Sequence, residues 1–284
     1  MKIEPQTKSD EARLVALLHD AIERDSDFSF QNDPESGELI LGGLSELQLD
    51  QKIDDLRRQG IQVACGAPQV SYRETIAREI DVDYTHKRRR GGVDEFARVI
   101  LRLAPRYRGD GNRFTSSCQA PPPGAYLKAI EKGVKSIWTK GVAIGFPLVD
   151  TSVDLGACIW REAEGPAVSF EIATRAAMKE ACNKAGIVVL EPFMTIELMA
   201  PDEFAKPIIR DLEARRGEIS SRVVRGDRSL IRALAPLANL FGYSSDLKRL
   251  TREQGTFSTA FSEYRPVPRN IAGPDDDPPV AMAL

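Results

Sequence analysis

The sequence predicts an α+β protein of three domains, of which the first and the last share one architecture. A stretch at each end of the chain has the order strand, helix, strand, strand, helix, strand, and a block with longer elements lies between them. The chain has 284 residues, more than one compact core usually contains, which also favours several smaller domains. The two end stretches repeat an architecture and not a sequence.

Apolar spacing predicts the first half of the opening domain. Leucine and isoleucine side chains recur three or four positions apart between residues 11 and 24 and share one face of a helix, which follows a short strand at 1–5. Two further strands are predicted at 28–30 and 38–41. The residues between them, 32–37, have the composition of a hairpin turn.

Signals at both ends mark the second helix of this domain. Ser45 and Gln48 form a capping box at its start, and Gly60 is a typical C-terminal glycine. A strand at 61–64 closes the domain. Two helices on one face of a four-stranded antiparallel sheet form a ferredoxin-like βαββαβ unit, which we expect for residues 1–72.

A second ferredoxin-like unit is predicted at residues 189–265, and a different fold is predicted for the middle domain, residues 73–188. The elements predicted for the last unit are strands at 193–199, 218–224, 229–233 and 256–261 and helices at 202–216 and 240–251. Those predicted for the middle domain are strands at 96–103 and 149–159 and helices at 126–140 and 167–185. The remaining residues, 266–284, are rich in Pro and Asp and predict a disordered tail.

Composition and motifs exclude several classes of function. The formal net charge is −3, so a nucleic-acid partner would have to bind a local basic patch. Four scattered cysteines without a C-x-x-C pair and only two histidines argue against a metal site and fit a reducing cytoplasm. No G-x-x-x-x-G-K-[ST] phosphate loop is present, and we expect neither a catalytic residue nor a nucleotide site in this chain. A polar N-terminus and the lack of a ~20-residue apolar run argue against a signal peptide and a membrane partner.

Five sequence strings, taken together, resemble one known family. They are GLSELQL at 43–49, GAPQVSYRETI at 66–76, VLEP at 189–192, DLEARRGEI at 211–219 and PLANLFGY at 236–243. In this order and at these separations they resemble domains III to V, the C-terminal part, of translation elongation factor G. The resemblance runs from Met1 to about Asn270 and is divergent.

This resemblance implies a fold and a function. The middle domain would have the left-handed βαβ fold that domain IV of the family shares with a small-subunit ribosomal protein, with the two ferredoxin-like units as domains III and V. The family is a translational GTPase that moves tRNA and mRNA on the ribosome. The implied partners are ribosomal RNA, the decoding centre, the large-subunit factor site and the mRNA–tRNA complex, bound by a monomer in the cytoplasm. GTP and Mg²⁺ would belong to a domain outside this chain, so no cofactor is expected here.

The resemblance also implies which residues touch RNA. The run from His86 to Gly92 concentrates charge where the family has the tip loop of domain IV, and residues 160–162 would form a second tip loop. The RNA-binding residues expected at this tip are Lys87, Arg88, Arg89, Arg90, Gly91, Gly92, Arg98 and Arg161. Arginine supplies phosphate contacts, and glycine lets the backbone approach RNA closely. A solvated charged loop is the alternative, and Trp160 is expected to pack beneath the loop.

A second ribosome contact is implied in the domain V-like unit, at Arg215 and Arg216. Cations that complement the dipole at a helix end are an equally good interpretation of this pair. The tip also departs from the family, which continues R-G-Q-Y-G-H after Gly92, whereas this chain has V-D-E-F-A-R at 93–98. Because two glycines and a cation are lost and two acids are gained, we expect a stiffer tip that attracts phosphate less.

Three interpretations of function follow. In the first, the chain is the ribosome-binding part of a divergent elongation factor G whose GTPase domain lies outside the sequence. In the second, it is a free-standing paralogue without a motor that binds ribosomes as a regulator or competitor. In the third, it is an interaction scaffold that has no ribosomal role. The family-like strings at 66–76 and 211–219 argue against the third, and the altered tip argues for it.

Overall fold

The structure, a computed structural model, describes residues 2–7, 10–24, 28–32, 39–42, 46–66, 70–90, 93–161 and 166–268, with only the backbone described at 46–48, 50, 90, 93 and 94. The chain divides into two units. One contains residues 1–71, 192–263 and the end of the chain from 268, and the other contains residues 72–191 and 264–267. No helix within the described ranges is both long and apolar enough to cross a membrane.

The opening βαββαβ segment forms its own sheet. Its elements are β1 (Lys2–Pro5), α1 (Glu11–Arg24), β2 (Ser29–Asn32), β3 (Leu39–Gly42), α2 (Glu46–Arg58) and β4 (Val63–Gly66). The strands are antiparallel in the order β2-β3-β1-β4, which confirms the ferredoxin-like arrangement. Helix α1 has the predicted bounds. Strands β2 and β4 begin one and two residues later than predicted, and Phe28 and Ile61 pack into the core just before them.

The second helix ends as its sequence predicts. Gly60 has a φ of +82°, its N–H donates to the carbonyl of Arg57, and the next N–H donates to the carbonyl of Leu56 at 3.1 Å. Glycine adopts this left-handed conformation without the Cβ clash of other residues. The predicted turn at 33–37 and Ser45 of the predicted capping box lie outside the described residues, as does the side chain of Gln48.

The middle segment forms a second sheet covered by two helices. Its elements are β5 (Arg73–Ile76), β6 (Ile80–Arg90), β7 (Val93–Pro105), β8 (Arg113–Ser116), α3 (Gly124–Lys140), β9 (Thr151–Ile159) and α4 (Ala167–Ala185). Strands β6-β7-β9-β8 form the sheet, in which β8 and β9 are parallel and joined through α3. The core between sheet and helices is fully buried and includes Leu101, Val134, Val153 and Phe170. Helix α4 has the predicted bounds.

Strand β9 begins two residues later than predicted because of Asp150. This residue has a φ of 53°, a left-handed conformation that cannot continue a strand. Its carboxylate accepts hydrogen bonds from the N–H groups of Gly109 and Gly111 at 3.1 and 2.8 Å. The side chain thereby anchors the loop that follows β7 to the start of β9.

A buried carboxylate fixes the turn after α3. Glu74 on β5 is fully buried, and its oxygens accept hydrogen bonds of 2.7–3.1 Å from the N–H groups of Val142, Ala143 and Ile144. These N–H groups compensate the cost of burying the charge. Gly141 is required beside them, since a Cβ there would lie 2.0 Å from the carbonyl oxygen of Phe146.

The last βαββαβ segment repeats the strand order of the first. Its elements are β10 (Ile187–Pro201), α5 (Ala205–Ala214), β11 (Glu218–Arg225), β12 (Arg228–Pro236), α6 (Tyr243–Leu250) and β13 (Thr256–Pro266), in the sheet order β11-β12-β10-β13. Both helices are shorter than predicted, because Arg216 (φ 64°) and Gly242 (φ 73°) take left-handed conformations near their ends. Strand β13 reaches Pro266, beyond its predicted end, and residues 269–284 of the predicted tail lie outside the described residues.

Candidate nucleic-acid interface

The charged run predicted as a tip loop is part of a strand. Strands β6 and β7 pair in continuous register from Ile80 opposite Leu103 to Arg90 opposite Val93, so residues 86–90 extend the hairpin instead of forming a loop. The register places Arg88 opposite Glu95 and Arg89 opposite Asp94. Opposite charges on facing residues favour strand pairing, so the acids at 94 and 95 are compatible with an extended hairpin. Gly91 and Gly92 lie outside the described residues.

Strand alternation divides these cations between two faces. Val82 and Arg88 are an even number of residues apart on β6 and therefore share one face of the sheet. Val82 lies in the core under the helices, so Arg88 is on the helix-covered side. Lys87 and Arg89 are on the helix-free side. On the helix-covered side, the Nε2 atom of His86 lies 3.7 Å from a carboxylate oxygen of Glu95. The predicted cluster of cations is therefore two separate rows.

Phe96 brings two of the predicted RNA-binding residues together on the helix-free side. The Lys87 Nζ lies 5.9 Å from the centroid of its ring, and the Arg161 guanidinium carbon lies 4.4 Å from it. Phe96 is only 8% exposed although it is not part of the core cluster. Both cations are within the range of a cation–π interaction, so the ring fixes side chains that are far apart in sequence.

Arg98 lies on the same face but is neutralised by a carboxylate. Its Nε and one Nη donate to the two oxygens of Asp83 at 2.8 and 2.5 Å. These hydrogen bonds from Arg98 lower the pKa of Asp83 below its usual value and raise the pKa of Arg98. Arg98 therefore already has a bidentate carboxylate partner within the sheet.

Trp160 packs against the core of the middle segment, whereas residues 162–165, which follow it, lie outside the described residues. The indole is half-buried, and its ring centroid lies 6.2 Å from that of Tyr126. It therefore supports the segment that carries the exposed Arg161. Glu162, the other member of the predicted second loop, lies outside the described residues.

Arg215, the predicted contact in the last segment, has intramolecular partners at all three nitrogens. Its Nε and Nη2 atoms donate to the carboxylates of Asp211 and Asp246 at 3.0 and 2.5 Å, and Nη1 donates to the carbonyl of Asn239 at 3.1 Å. The guanidinium also lies 5.1 Å from the ring centroid of Tyr243, and the side chain is only 21% exposed. This geometry favours the alternative interpretation, a cation at a helix end, and the ribosome contact of Arg215 stays a prediction.

Sequence reasoning missed Phe96 and Asp83, although one signal for the first was present. The pairing of Arg90 with Val93 sets Lys87 opposite Phe96, so this register could have been counted from the sequence. The approach of Arg161 to the same ring depends on the packing of β9 beside β7, for which the sequence contains no comparable signal.

Comparison with known proteins gives a consistent assignment. Three family models match successive parts of the chain: elongation factor G domain III at residues 1–67, domain IV at 68–186 and the C-terminus at 188–273. A curated elongation factor G from Cereibacter sphaeroides is 40% identical over 272 residues, which is 95% of this chain. The chain belongs to the elongation factor G family. Elongation factors G from Rhodopseudomonas palustris and Paracoccus denitrificans are 39% and 38% identical over the same share.

The similarity to elongation factor G extends to the fold, and the chain covers only part of the length of these relatives. A crystal structure of a protein from Thermus thermophilus superposes with a TM-score of 0.81 at 32% identity, covering 95% of this chain and 41% of that one. The chain spans 39% of the length of the elongation factor G from Cereibacter sphaeroides. The β6–β7 hairpin and Arg161 belong to the part that matches domain IV.

Proposed function

We propose that this chain is the ribosome-binding C-terminal part of an elongation factor G-type translocase that moves tRNA and mRNA in a GTP-dependent way. The GTP-binding domain and its Mg²⁺ lie outside the chain in this proposal. The observation that carries it is the convergence of Lys87 and Arg161 on Phe96 at the end of the domain IV hairpin. The proposed partners are RNA of the decoding centre and the mRNA–tRNA complex, met by a monomer in the cytoplasm.

The chemistry of the hairpin end fits a phosphate backbone. The formal net charge of the chain is −3, so affinity for RNA has to come from a local group of cations. Lys87, Arg89 and Arg161 form such a group on one face, and Phe96 orders two of them before binding, which reduces the entropy lost on contact. We expect Arg88 to contribute less, because it lies on the other face of the same strand.

A second candidate function is a free-standing ribosome binder without a motor. The observation that favours it is the pairing of Arg88 and Arg89 with Glu95 and Asp94, which replaces the family's cation- and glycine-rich tip by a strand with balanced charge. Such a chain would occupy the factor site and compete with the intact factor. It would not couple nucleotide hydrolysis to movement.

Co-sedimentation with vacant ribosomes at low and moderate salt tests the proposal. We expect salt-sensitive binding that intact elongation factor G displaces, and we expect Lys87→Glu/Arg161→Glu to lower the affinity at least ~10-fold and to flatten the log–log salt slope by about 2. The control is Lys128→Glu/Lys179→Glu, the same charge change on exposed helix residues of the same unit. Equal losses in both double variants, or no ribosome binding at all, would refute the proposal.

A further inference from the structure

The loop between β7 and β8, residues 106–112, presents the most exposed aromatic side chain in the described part of the chain. Tyr107 is 87% exposed, whereas the next large apolar side chain, Phe261, is 57% exposed. An aromatic ring of this size is normally at least half covered, because its burial stabilises the fold. The ring is therefore accessible to a partner.

The loop holds this tyrosine in one place. One Nη of Arg106 donates to the carbonyls of Asp110 and Gly111 at 2.8 and 2.7 Å, and its backbone N–H donates to the carbonyl of Asp150. The Asp150 carboxylate accepts hydrogen bonds from the N–H groups of two loop glycines. Because the loop is braced from inside, little backbone entropy is lost when a partner binds at Tyr107.

Two arginines lie within this loop or at its end. Arg108 and Arg113 are both exposed, and within the described residues the side chain of neither forms a hydrogen bond or an ion pair. The nearby carboxylates are engaged, Asp110 with Arg106 and Asp150 with the backbone of the loop. The loop thus combines an accessible π-face with two guanidinium groups.

We propose that residues 106–113 form a second RNA contact, in which Tyr107 stacks on an unpaired base and Arg108 and Arg113 bind the adjacent phosphates. Stacking on an aromatic ring next to a positive surface is the usual way in which proteins hold single-stranded RNA. A protein partner is disfavoured, since the described large apolar side chains exposed elsewhere in this unit, Ile159 and Val168, lie outside the loop. The inference rests on the proposed role of the chain as a ribosome binder.

This contact is separate from the hairpin end. Strand β7 leads from one to the other and has 13 residues, which corresponds to roughly 43 Å at ~3.3 Å per residue. A single-stranded pentanucleotide is shorter than this separation even when its backbone is extended, so it can occupy one of the two surfaces but not both.

Fluorescence anisotropy of a labelled uridine pentanucleotide, titrated with the full chain, tests the proposal. We expect Tyr107→Ala to weaken binding about tenfold, the usual effect of losing one stacked base. Tyr107→Phe, which keeps the π-face, should bind within about twofold of the original chain. Arg108→Gln/Arg113→Gln should flatten the salt dependence. Phe261→Ala, an exposed aromatic residue in the other unit, serves as the matched control.

The outcomes separate this inference from the proposed function. Pentanucleotide binding that is unchanged in Tyr107→Ala, or absent in the original chain, overturns the RNA contact even if ribosome binding through the hairpin end holds. Loss of ribosome binding in Tyr107→Ala without loss of RNA binding also overturns it and assigns the loop to a protein. A Tyr107-dependent signal that persists in Lys87→Glu/Arg161→Glu supports it. Thermal unfolding of each variant checks that the surface changes leave the fold intact.

Discussion

Two regions of this molecule are marked by arginines in the sequence, and their cations are engaged differently. At the end of α5, Arg215 donates to two carboxylates and a carbonyl. At the hairpin end, Lys87 and Arg161 lie on an aromatic ring. A carboxylate neutralises the charge of an arginine, whereas an aromatic ring orients a cation without changing its charge. The neighbours of an arginine are therefore a better guide to an RNA contact than the arginine itself.

The largest expected effect comes from removing Arg215. Arg215→Ala should lower the free energy of unfolding by about 3 kcal/mol, because it leaves Asp211 and Asp246 without their partly buried cation and uncovers the Tyr243 ring. The two tryptophans, Trp138 and Trp160, both lie in the other unit. Urea unfolding should therefore show an earlier transition by far-UV circular dichroism and an unchanged transition by tryptophan fluorescence.

Arg249→Ala is the matched control for this prediction. Arg249 pairs with the same Asp246, but its side chain is 83% exposed, so its loss should cost no more than ~0.5 kcal/mol. Equal shifts in the two variants would mean that burial does not distinguish the two pairs. A stable Arg215→Ala chain with weaker ribosome binding would restore Arg215 as a contact.

Much of the fold was predictable because local sequence patterns determine most of its helices and strands. Helices α1 and α4 have the predicted bounds, since apolar periodicity and flanking residues define them within their own sequence. The errors arise where one residue takes an unusual backbone angle, as Asp150 does before β9 and Arg216 does after α5. Aspartate adopts a left-handed conformation more readily than most residues, but neither Asp150 nor Arg216 has a residue type that predicts one, and contacts made across the fold set it.

The sequence predicted which residues belong to the candidate site but not all of the contacts between them. The resemblance to elongation factor G pointed to Lys87 and Arg161. The hairpin register would have placed Phe96 opposite Lys87, but the approach of Arg161 to that ring depends on the packing of β9 beside β7. Arg215 illustrates the same limit, because one of its carboxylate partners is 31 residues away. Such distant contacts decide whether a cation faces solvent, and a single sequence does not encode them in any local pattern.

A smaller effect, a gain in ribosome affinity, is expected from a substitution of Asp83. Asp83→Asn should raise ribosome affinity about threefold at low salt and steepen the salt dependence, because Arg98 becomes available to phosphate. Arg98 lowers the pKa of Asp83, so the stabilising pair is present above about pH 4 and is lost only as the pH falls through the lowered pKa. Changing the pH between 6 and 8 should therefore not reproduce the effect of the substitution.

Asp81→Asn is the control for that experiment. Asp81 is exposed on the same face of β6, opposite Arg102 and further from the hairpin end, and its substitution changes the charge equally. If both variants bind ribosomes equally well, the gain comes from net charge and not from Arg98. If Asp83→Asn binds more weakly than the original chain, Arg98 is needed in its paired orientation.

The smallest effect decides the role of Arg216. This residue has a φ of 64° at the end of α5, where glycine avoids the strain of a left-handed conformation. Arg216→Gly should therefore raise the free energy of unfolding by about 0.5 kcal/mol and, if Arg216 only ends the helix, leave ribosome binding unchanged. Arg252→Gly relieves similar strain at a φ of 51° and removes the same charge outside the predicted contact. A binding loss in Arg216→Gly but not in Arg252→Gly would give the two neighbouring arginines opposite roles, with Arg215 supporting the fold and Arg216 facing the ribosome.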